Sequence, residues 1–284
     1  MRTELIALIK DVWQVLHDNI DWMSWNLFLA FVPLDLSISL FHAGQRGVDA
    51  QLPSPRVAPV AIKRWVWWLR CLIFLVLLPN IRYVLTSAHL LAVLPLALSY
   101  WLFNRERFHS SLWWLGFLVF FAFLPNAPYV LTDIIHFYSD IRTINSVWLN
   151  TLVVLPVYLL FIFAGFAAYV FSLINFGYYL QRIGKSDWIL GAELVTHALC
   201  AVGIYLGRFL RFNSWDFITQ PDALATSVLE DLLGKRPVVI IAITFVIIAG
   251  LYWGMKRMAL EMLLPKNGAI AKRHSPGKTD FSNS

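Results

Sequence analysis

The sequence repeats Leu78-Pro79-Asn80-Ile81-Arg82-Tyr83-Val84-Leu85-Thr86 as Leu124-Pro125-Asn126-Ala127-Pro128-Tyr129-Val130-Leu131-Thr132, 46 residues later (78 to 124). Seven of these nine positions are identical, and each copy ends an apolar run that begins with tryptophan. Because proline removes a backbone donor and interrupts a helix, the repeat predicts two helix breaks. Only the second copy continues into Asp133-Ile134-Ile135-His136, so we expect the titratable chemistry there.

The composition is that of a protein that crosses a membrane several times. Hydrophobic residues make up 59% of the chain and charged residues 14%, and the mean hydropathy is +0.64. Soluble domains are about 45–50% apolar and about 25% charged. Cys71 and Cys200 lie in apolar stretches and form neither a metal-ligand spacing nor a disulfide framework, so we interpret them as small core residues.

We predict an all-α polytopic transmembrane helix bundle with seven spans, or six as the alternative, and with two broken or short helices at the Leu-Pro-Asn repeats. The apolar segments lie near residues 22–42, 65–79, 82–103, 111–125, 147–173, 188–207 and 237–255. Residues 22–258 form the transmembrane domain. Residues 1–21 have amphipathic helical spacing and predict an interfacial helix, which could equally pack against the bundle. Residues 259–284 predict a basic, disordered cytoplasmic tail.

Lysine and arginine counts in alternating loops predict the orientation of the chain. One side carries fourteen of these residues and the other carries eight. Because positively charged loops stay in the cytoplasm, we expect a multi-pass plasma-membrane protein with its N-terminus outside and its C-terminus inside. Both breaks, the segment 133–136 and the segment 208–216 then converge on the outer leaflet.

The helices that lead into the breaks are short for a membrane span. The run over 65–78 has fourteen residues, or about 21 Å of helix, which is less than the hydrocarbon thickness. The breaks are therefore expected below the outer surface, as in the discontinuous helices of transporters. Asn80 and Asn126 are expected to cap the helices that follow. A plain corner between two helices is the alternative.

The second break predicts a polar helix face. On a helix that begins after Asn126, the side chains of Tyr129, Asp133 and His136 share one face, and Thr132 flanks it. Asp133 could orient His136 for proton transfer, or the two could be metal ligands. An Asp-capped loop that carries a surface histidine is the alternative.

A second set of ionisable residues lies in a later apolar helix. Glu193 and His197 are four residues apart, and Arg208 and Arg211 fall within about 60° of them if that helix continues at 100° per residue. Ionisable groups inside a bilayer indicate function by default, although Glu193 and His197 could equally form an internal hydrogen bond. The candidate catalytic residues are therefore Asp133, His136, Glu193 and His197.

A polar cluster follows the two arginines, and its composition suits an anionic ligand. Two adjacent guanidinium groups can bind a phosphate or carboxylate in a bidentate manner. The candidate substrate-binding residues are Asn126, Tyr129, Thr132, Arg208, Arg211, Asn213, Trp215 and Asp216. In the first span, Asp35, Ser39 and His42 share a face, and we interpret them as polar contacts inside the bundle.

Two strings, LPNAPYVLTDIIHF (124–137) and GRFLRFNSWD (207–216), resemble the signatures of an uncharacterised family of bacterial membrane proteins. It is a domain-of-unknown-function family, thirteen sixty-one in its series, and the resemblance covers most of residues 22–258. The resemblance implies a multispan membrane protein and no particular reaction. The positions that match the family pattern are Asn126, Pro128, Tyr129, Thr132, Asp133, His136, Arg208, Arg211, Asn213, Trp215 and Asp216.

Three classes of function remain open. The first is a membrane-embedded enzyme that acts at the outer leaflet on an anionic lipid or lipid-linked substrate, with Asp133 and His136 as reacting groups. The second is a secondary transporter that uses Glu193 and His197 as proton carriers. The third is a non-catalytic assembly or sensor protein, in which the polar groups fix helix packing.

Several other classes are not indicated. The sequence contains no nucleotide-binding loop, zinc-protease helix motif or serine nucleophile elbow. Its lysines and arginines are scattered between spans, which argues against nucleic-acid binding. No cofactor follows from the sequence, although a divalent metal is an option at Asp133 and His136. The lipid bilayer is an expected partner, an anionic lipid or lipid-linked substrate is a possible one, and the sequence identifies no protein partner.

Overall fold

A computed structural model describes residues 2–41, 59–81, 90–104, 110–144, 146–210, 222 and 235–263 of the chain. The secondary structure of these residues is helical, and no β-strand occurs among them. The predicted all-α class is therefore confirmed. The helices are α1 (Arg2–Phe41), α2 (Pro59–Leu77), α3 (Leu90–Asn104), α4 (Ser111–Phe123), α5 (Asn126–Tyr129), α6 (Ile134–Thr143), α7 (Val147–Leu149), α8 (Leu155–Arg182), α9 (Ile189–Phe209) and α10 (Lys235–Leu263).

Shorter helical turns join several of these elements. Tight 3-10 turns span Leu78–Asn80, Val130–Asp133 and Ser186–Trp188, and a π-helical stretch, Asn150–Val154, joins α7 to α8. The first of these turns ends α2, and the second lies between α5 and α6. The first 3-10 turn is itself the first Leu-Pro-Asn sequence. The second Leu-Pro-Asn sequence lies at the turn of residues 124–125 between α4 and α5, a few residues before the 3-10 turn Val130–Asp133.

In the described part of the chain, five helical segments are long and apolar enough to cross a membrane. They are Ile9–Phe41, Ser111–Thr143, Val147–Arg182, Ser186–Phe209 and Arg236–Glu261. Two shorter apolar helices, Trp65–Asn80 and Val93–Phe103, complete the set. These seven correspond to the seven predicted segments, and the protein is a polytopic membrane-embedded helix bundle.

α1 is the central helix of the bundle. Its residues Phe28, Ala30 and Leu36 are fully buried, and α2, α3, α4 and α8 all pack against it. Residues 2–21 continue into the first span without interruption, so the predicted boundary at residue 21 is not a helix end. The reason is local: no proline or glycine separates the amphipathic stretch from the span. An interfacial location for residues 1–21 stays a prediction.

Polar contacts establish the directions of the helices. Asn80 contacts Ser24 near the end of α2, whereas Asn175, late in α8, contacts Ser37, late in α1. α2 is therefore antiparallel to α1, and α8 is parallel to it. We call the membrane side where α1 begins face A, and the side where α1 ends face B. The second break and the end of α9 lie at face A, because α4 and α9 run opposite to α1.

Large apolar side chains cover the outside of the bundle. Leu118 is 67% exposed and Leu160 is 69% exposed. Such exposure carries little penalty in a bilayer, because lipid tails are as apolar as leucine. The surface therefore fits the membrane environment that the composition predicts.

Both predicted helix breaks are present, but the role predicted for Asn126 is wrong. Pro125, not Asn126, occupies the cap position of α5, and no side-chain cap bond forms there. The Asn126 side-chain amide donates instead to the carbonyl of Phe123 at 2.9 Å. The last carbonyls of a helix lack partners within that helix, and the tight turn folds this amide back over them. Residues 82–89, where the sequence predicts a helix after Asn80, lie outside the described residues.

Two glycines hold the second break between α8 and α9. A Cβ atom added at Gly165 would lie 2.8 Å from the side chain of Val130, and one added at Gly203 would lie 2.8 Å from Cβ of Pro125. Real Cβ atoms do not approach other atoms this closely, so the backbone contact depends on the missing side chains. The break is thereby set directly beside the end of α9.

The predicted C-terminal boundary at residue 258 also lies within a helix, because α10 continues to Leu263. The predicted disordered tail lies largely beyond residue 263, outside the described residues.

Candidate functional site

Arg208, one residue before the end of α9, joins that helix to the second break. Its Nε and Nη2 atoms donate to Oγ1 of Thr132 at 3.0 and 2.7 Å. Nη2 also donates to Oδ1 of Asp133 at 2.5 Å. The guanidinium carbon lies 4.7 Å from the ring centre of Tyr129, within the range of a cation–π contact. The structure therefore brings together four residues that the sequence singled out.

The backbone before Asp133 explains this grouping. Residues Val130–Asp133 form a 3-10 turn, in which positions three apart eclipse. Thr132 consequently lies above Tyr129, and its hydroxyl donates to the Tyr129 carbonyl at 2.7 Å. The face predicted from continuous α-helical spacing is rotated by this turn. Asp133 is buried at 1% exposure, whereas His136 is exposed.

Asp133 and His136 have separate partners. The Asp133 carboxylate accepts from Arg208 at Oδ1 and from Asn26 at Oδ2, the latter at 3.0 Å. The His136 ring packs against Trp22, with centroids 4.7 Å apart. Among the described hydrogen bonds, none joins Asp133 to His136. In this geometry, the Asp133 carboxylate does not hold the His136 imidazole directly.

α1 contacts the segment after the second break through three successive pairs, which we call the polar ladder. Asn26 pairs with Asp133, Trp22 with His136, and Asn19 with Asp140 at 2.9 Å. The steps between rungs are three or four residues on both sides, so one face of α1 meets one face of the segment formed by Asp133 and α6, in antiparallel register.

The last rung extends into α8. The Tyr158 hydroxyl also donates to Oδ2 of Asp140 at 2.9 Å, and Nε1 of Trp22 donates to Oδ1 of Asn19 at 2.9 Å. The sequence-based reasoning missed the α1 side of the ladder. Its signal was present, because Asn19, Trp22 and Asn26 are spaced at three and four residues and share a helix face.

The first break also contacts α1, although through different chemistry. The Asn80 amide donates to the carbonyl of Asp21 at 2.8 Å and to Oγ of Ser24 at 2.7 Å. Asn80 is 6% exposed, and its bonds satisfy an otherwise buried amide. Tyr83 and Thr86 of this copy lie outside the described residues.

Glu193 and His197 lie in a different cluster, formed by α8, α9 and α10. Oε1 of Glu193 accepts from the Tyr252 hydroxyl at 2.7 Å and from Nζ of Lys256. The Tyr169 hydroxyl and Nδ1 of His197 are 2.6 Å apart. We call these five residues the midspan cluster.

The two sets of ionisable residues do not form one site. His197 and Arg208 are eleven residues apart on the continuous helix α9, which separates them by roughly 16 Å along its axis. The sequence places them on similar helix faces, but angular agreement says nothing about axial distance. Glu193 and His197 therefore lie in a cluster separate from Arg208.

A third charged pair lies between α1, α2 and α3. Nε of Arg70 lies 3.1 Å from Oδ1 of Asp35, and Nη2 contacts the hydroxyls of Ser39 and Ser99 at 3.4 and 3.3 Å. The predicted contacts of Asp35 and Ser39 inside the bundle are thus present, while His42 lies outside the described residues. Arg70 was missed, although a single arginine inside an apolar helix is itself a signal.

Four predicted binding residues lie outside the described part of the chain, namely Arg211, Asn213, Trp215 and Asp216. Within the described part, no group of three or more His, Cys, Asp or Glu side chains could hold a metal ion. The exposed imidazole of His136 and the carboxylate of Asp140 lie on the same helix, but Asp140 is already engaged by Asn19 and Tyr158.

Comparison with known proteins identifies a sequence family for the chain but no related solved structure. No curated protein and no solved structure matches it. A family described as "Protein of unknown function (DUF1361)" matches residues 25–90 and 88–249. The matched region contains α1 from Trp25 onward, both breaks and the residues around Arg208. Of the α1 residues in the polar ladder, it contains Asn26. The chain is therefore a member of this family of proteins of unknown function.

Proposed function

We propose that the protein binds the anionic headgroup of a lipid, or of a lipid-linked molecule, at face A, with Arg208 as the principal donor. The observation that carries this proposal is the position of the guanidinium. It is 21% exposed, whereas its carboxylate partner Asp133 is 1% exposed. Thr132 and Asp133 occupy Nε and Nη2, and Nη1 has no partner among the described residues. Its two N–H groups suit phosphate or carboxylate oxygens.

The surroundings of Arg208 favour binding because they hold the side chain in place before a ligand arrives. Two hydrogen-bond acceptors and the ring of Tyr129 fix its position. Less conformational entropy is then lost when an anion binds. Since Asp133 already neutralises Arg208, the anion needs a further cation, and we assign Arg211 to that role. Asn126, Asn213, Trp215 and Asp216 complete the proposed site.

His136 is the group that we propose for proton transfer in an enzyme of this kind. Its imidazole is exposed at face A and held against Trp22. A neutral imidazole can accept a proton and an imidazolium can donate one near physiological pH. An anionic headgroup bound at Arg208 would lie close to the segment that contains this imidazole, because Arg208 pairs with Asp133, three residues before His136. The count of lysines and arginines makes face A the outer side of the plasma membrane in this proposal.

Lipid retention tests the binding proposal. The protein is placed in nanodiscs of phosphatidylglycerol and phosphatidylethanolamine, and native mass spectrometry counts the retained lipids. Arg208→Lys keeps the positive charge but removes the planar fork. We expect at least about tenfold weaker retention of phosphatidylglycerol, which is about 1.4 kcal/mol. The same experiment with a long-chain polyprenyl phosphate distinguishes a membrane lipid from a lipid-linked substrate.

Arg142→Lys is the matched control. Arg142 is also exposed at face A and lies 4.6 Å from the ring of Tyr138, but it belongs to α6 and lies outside the Arg208 group. Equal retention by the two variants, for both lipid classes, would remove Arg208 as the donor.

The enzyme assignment has a separate test in cells. His136→Ala should change the lipid or envelope-glycan profile in the same way as deletion of the gene. The variant must reach the membrane at the normal level. A profile that changes on deletion but not in His136→Ala argues that binding occurs without His136 chemistry, and an unchanged profile in both strains argues against an enzyme.

A further inference from the structure

The midspan cluster contains a buried histidine nitrogen without a partner. His197 is 0% exposed, and Nε2 has no hydrogen-bond partner among the described residues, whereas Nδ1 is engaged by Tyr169. Leaving a buried polar atom unpaired costs about 1–3 kcal/mol. Native proteins rarely keep such an atom without a functional reason. Nε2 is therefore the ring nitrogen of His197 that is open to a further proton or partner.

Glu193 is the nearest carboxylate and is only partly committed. It lies one helical turn from His197 on α9, and it is 3% exposed. Both of its described hydrogen bonds, from Tyr252 and Lys256, end on Oε1. Its second oxygen, Oε2, accepts no hydrogen bond from the described residues and can therefore accept one from a new donor. The ring of Tyr252 lies 4.7 Å from the ring of His197, so the two halves of the cluster are in contact.

Lys256 is the counter-ion of Glu193, and its side chain can move away from that carboxylate. Its side chain is 24% exposed, and it lies one turn beyond Tyr252 toward face B, where α10 ends. Long lysine side chains extend readily to the headgroup region while the stem stays in the apolar layer. The pair Glu193–Lys256 is therefore separable without moving a helix.

We propose that Glu193, His197 and Lys256 form a proton-binding site in the middle of the bundle. In the neutral state, Nδ1–H of His197 donates to the Tyr169 oxygen, so Nε2 carries a free lone pair. A hydronium ion that enters from face B gives its proton to Nε2, an N–H bond forms there, and the hydronium ion becomes water. The carboxylate of Glu193 then pairs with the imidazolium, and Lys256 turns toward the headgroups. Loss of the proton restores the Glu193–Lys256 pair. The cluster thereby alternates between two arrangements that differ by one proton.

The groups that face His197 are all accounted for in this exchange. Among the described residues they are Tyr169 on α8, Glu193 on α9, and Tyr252 and Lys256 on α10; Cys200 on α9 interacts with Tyr169 rather than with His197. α5 contacts α9 near Gly203, which is six residues beyond His197, and its Tyr129 faces Arg208. Only Glu193 and Lys256 are formally charged, so they decide whether a proton on His197 is tolerated.

This site is independent of the anion site at Arg208, because the two lie at different depths and share no residue. It gives Glu193 and His197 the role of proton binding, which the transporter hypothesis requires of them. Sites of proton-coupled transporters lie near the bilayer midplane, and His197 lies eleven residues from Arg208 and eight from the start of α9.

Solid-state NMR on protein with nitrogen-15 histidine in liposomes tests the proposal directly. His197→Gln identifies the His197 signals among the seven histidines. On acidification from pH 8 to pH 4.5, we expect the neutral His197 signal to be replaced by a cationic one. Glu193→Gln should lose that cationic signal over the same range, because the imidazolium has no carboxylate partner. Arg142→Lys should retain it.

Each other outcome overturns the proposal. A His197 signal that stays neutral throughout excludes proton binding at Nε2. A cationic signal of equal intensity in Glu193→Gln excludes the proposed exchange of partners. Thermal unfolding shows whether Glu193→Gln is folded. If it is not, Lys256→Met decides: the cationic signal should then appear at a higher pH than in the unchanged protein, and an unchanged transition contradicts the role of Lys256.

Discussion

Three carboxylates are buried among the described residues, and each is paired with one cation that is partly exposed. Asp35 pairs with Arg70, Asp133 with Arg208, and Glu193 with Lys256; the three cations are 24%, 21% and 24% exposed. A carboxylate buried alone would have to leave water without compensation. The long stems of arginine and lysine supply the opposite charge while keeping part of the head group near water.

Removing one member of such a pair should lower the free energy of unfolding much more than removing both members. We expect Arg70→Met to destabilise the protein by about 3–5 kcal/mol, because Asp35 is left charged and buried. The double variant Asp35→Asn with Arg70→Met should recover most of that loss. Thermal unfolding in detergent measures the difference.

The exposed pair Arg257–Glu261 provides the control, since its side chains are 85% and 68% exposed. Arg257→Met should leave the unfolding temperature unchanged, as exposed pairs contribute little. Arg70→Met with the same small effect would show that the Asp35 pair is not coupled to folding.

At the level of elements, the second break is a rigid part of the bundle rather than a loose corner. α1 holds it from one side through the polar ladder, and Gly165 and Gly203 hold it from the other. Its 3-10 turn sets which side chains face Arg208. Position and register are thus decided by three neighbouring helices together.

Gly203→Ala should separate α9 from the break. The new methyl group would lie 2.8 Å from Cβ of Pro125, and overpacking of this kind costs about 1–3 kcal/mol. We expect both a lower unfolding temperature and weaker retention of phosphatidylglycerol, because Arg208 moves away from Thr132 and Asp133.

Gly250→Ala is the matched control, because nothing lies within 4 Å of a Cβ added there. It should be neutral or slightly stabilising, since alanine favours helix over glycine. Equal effects of the two substitutions would contradict a close packing role for Gly203.

At the level of the whole molecule, the directions of the helices place the Arg208 group and the polar ladder at face A and leave α1 ending at face B. The midspan cluster lies between the two faces. An anion bound from one side and a proton bound from the other would therefore reach separate sites in the same bundle.

Cysteine labelling in intact cells should establish which face is outside. After Cys71 and Cys200 are replaced by serine, Gln14→Cys should react with a membrane-impermeant maleimide, because face A is expected outside. Lys185→Cys, in the exposed turn before α9 at face B, should react only after permeabilisation. The opposite pattern would invert the proposed orientation and move the anion site to the cytoplasmic leaflet.

Some residues of the candidate site could be predicted from the sequence, and others could not. Tyr129, Thr132, Asp133 and Arg208 were singled out from their sequence positions, and they meet. Asn26, which satisfies the second oxygen of Asp133, was not singled out, because it is 107 residues away and its role depends on how α1 packs. Glu193 and His197 were placed with Arg208 because helix periodicity gives an angle but not a depth.

The sequence by itself determined the class of protein, its apolar spans, its two helix breaks and the asymmetry between the two copies of the repeat. These are local properties: composition sets solubility in lipid, and proline interrupts a helix wherever it occurs. Only the tertiary structure decided that the titratable residues form separate sites. Which side chains become partners depends on the register between helices far apart in the chain. Here that register is set by close contacts at glycines and by the ladder on α1.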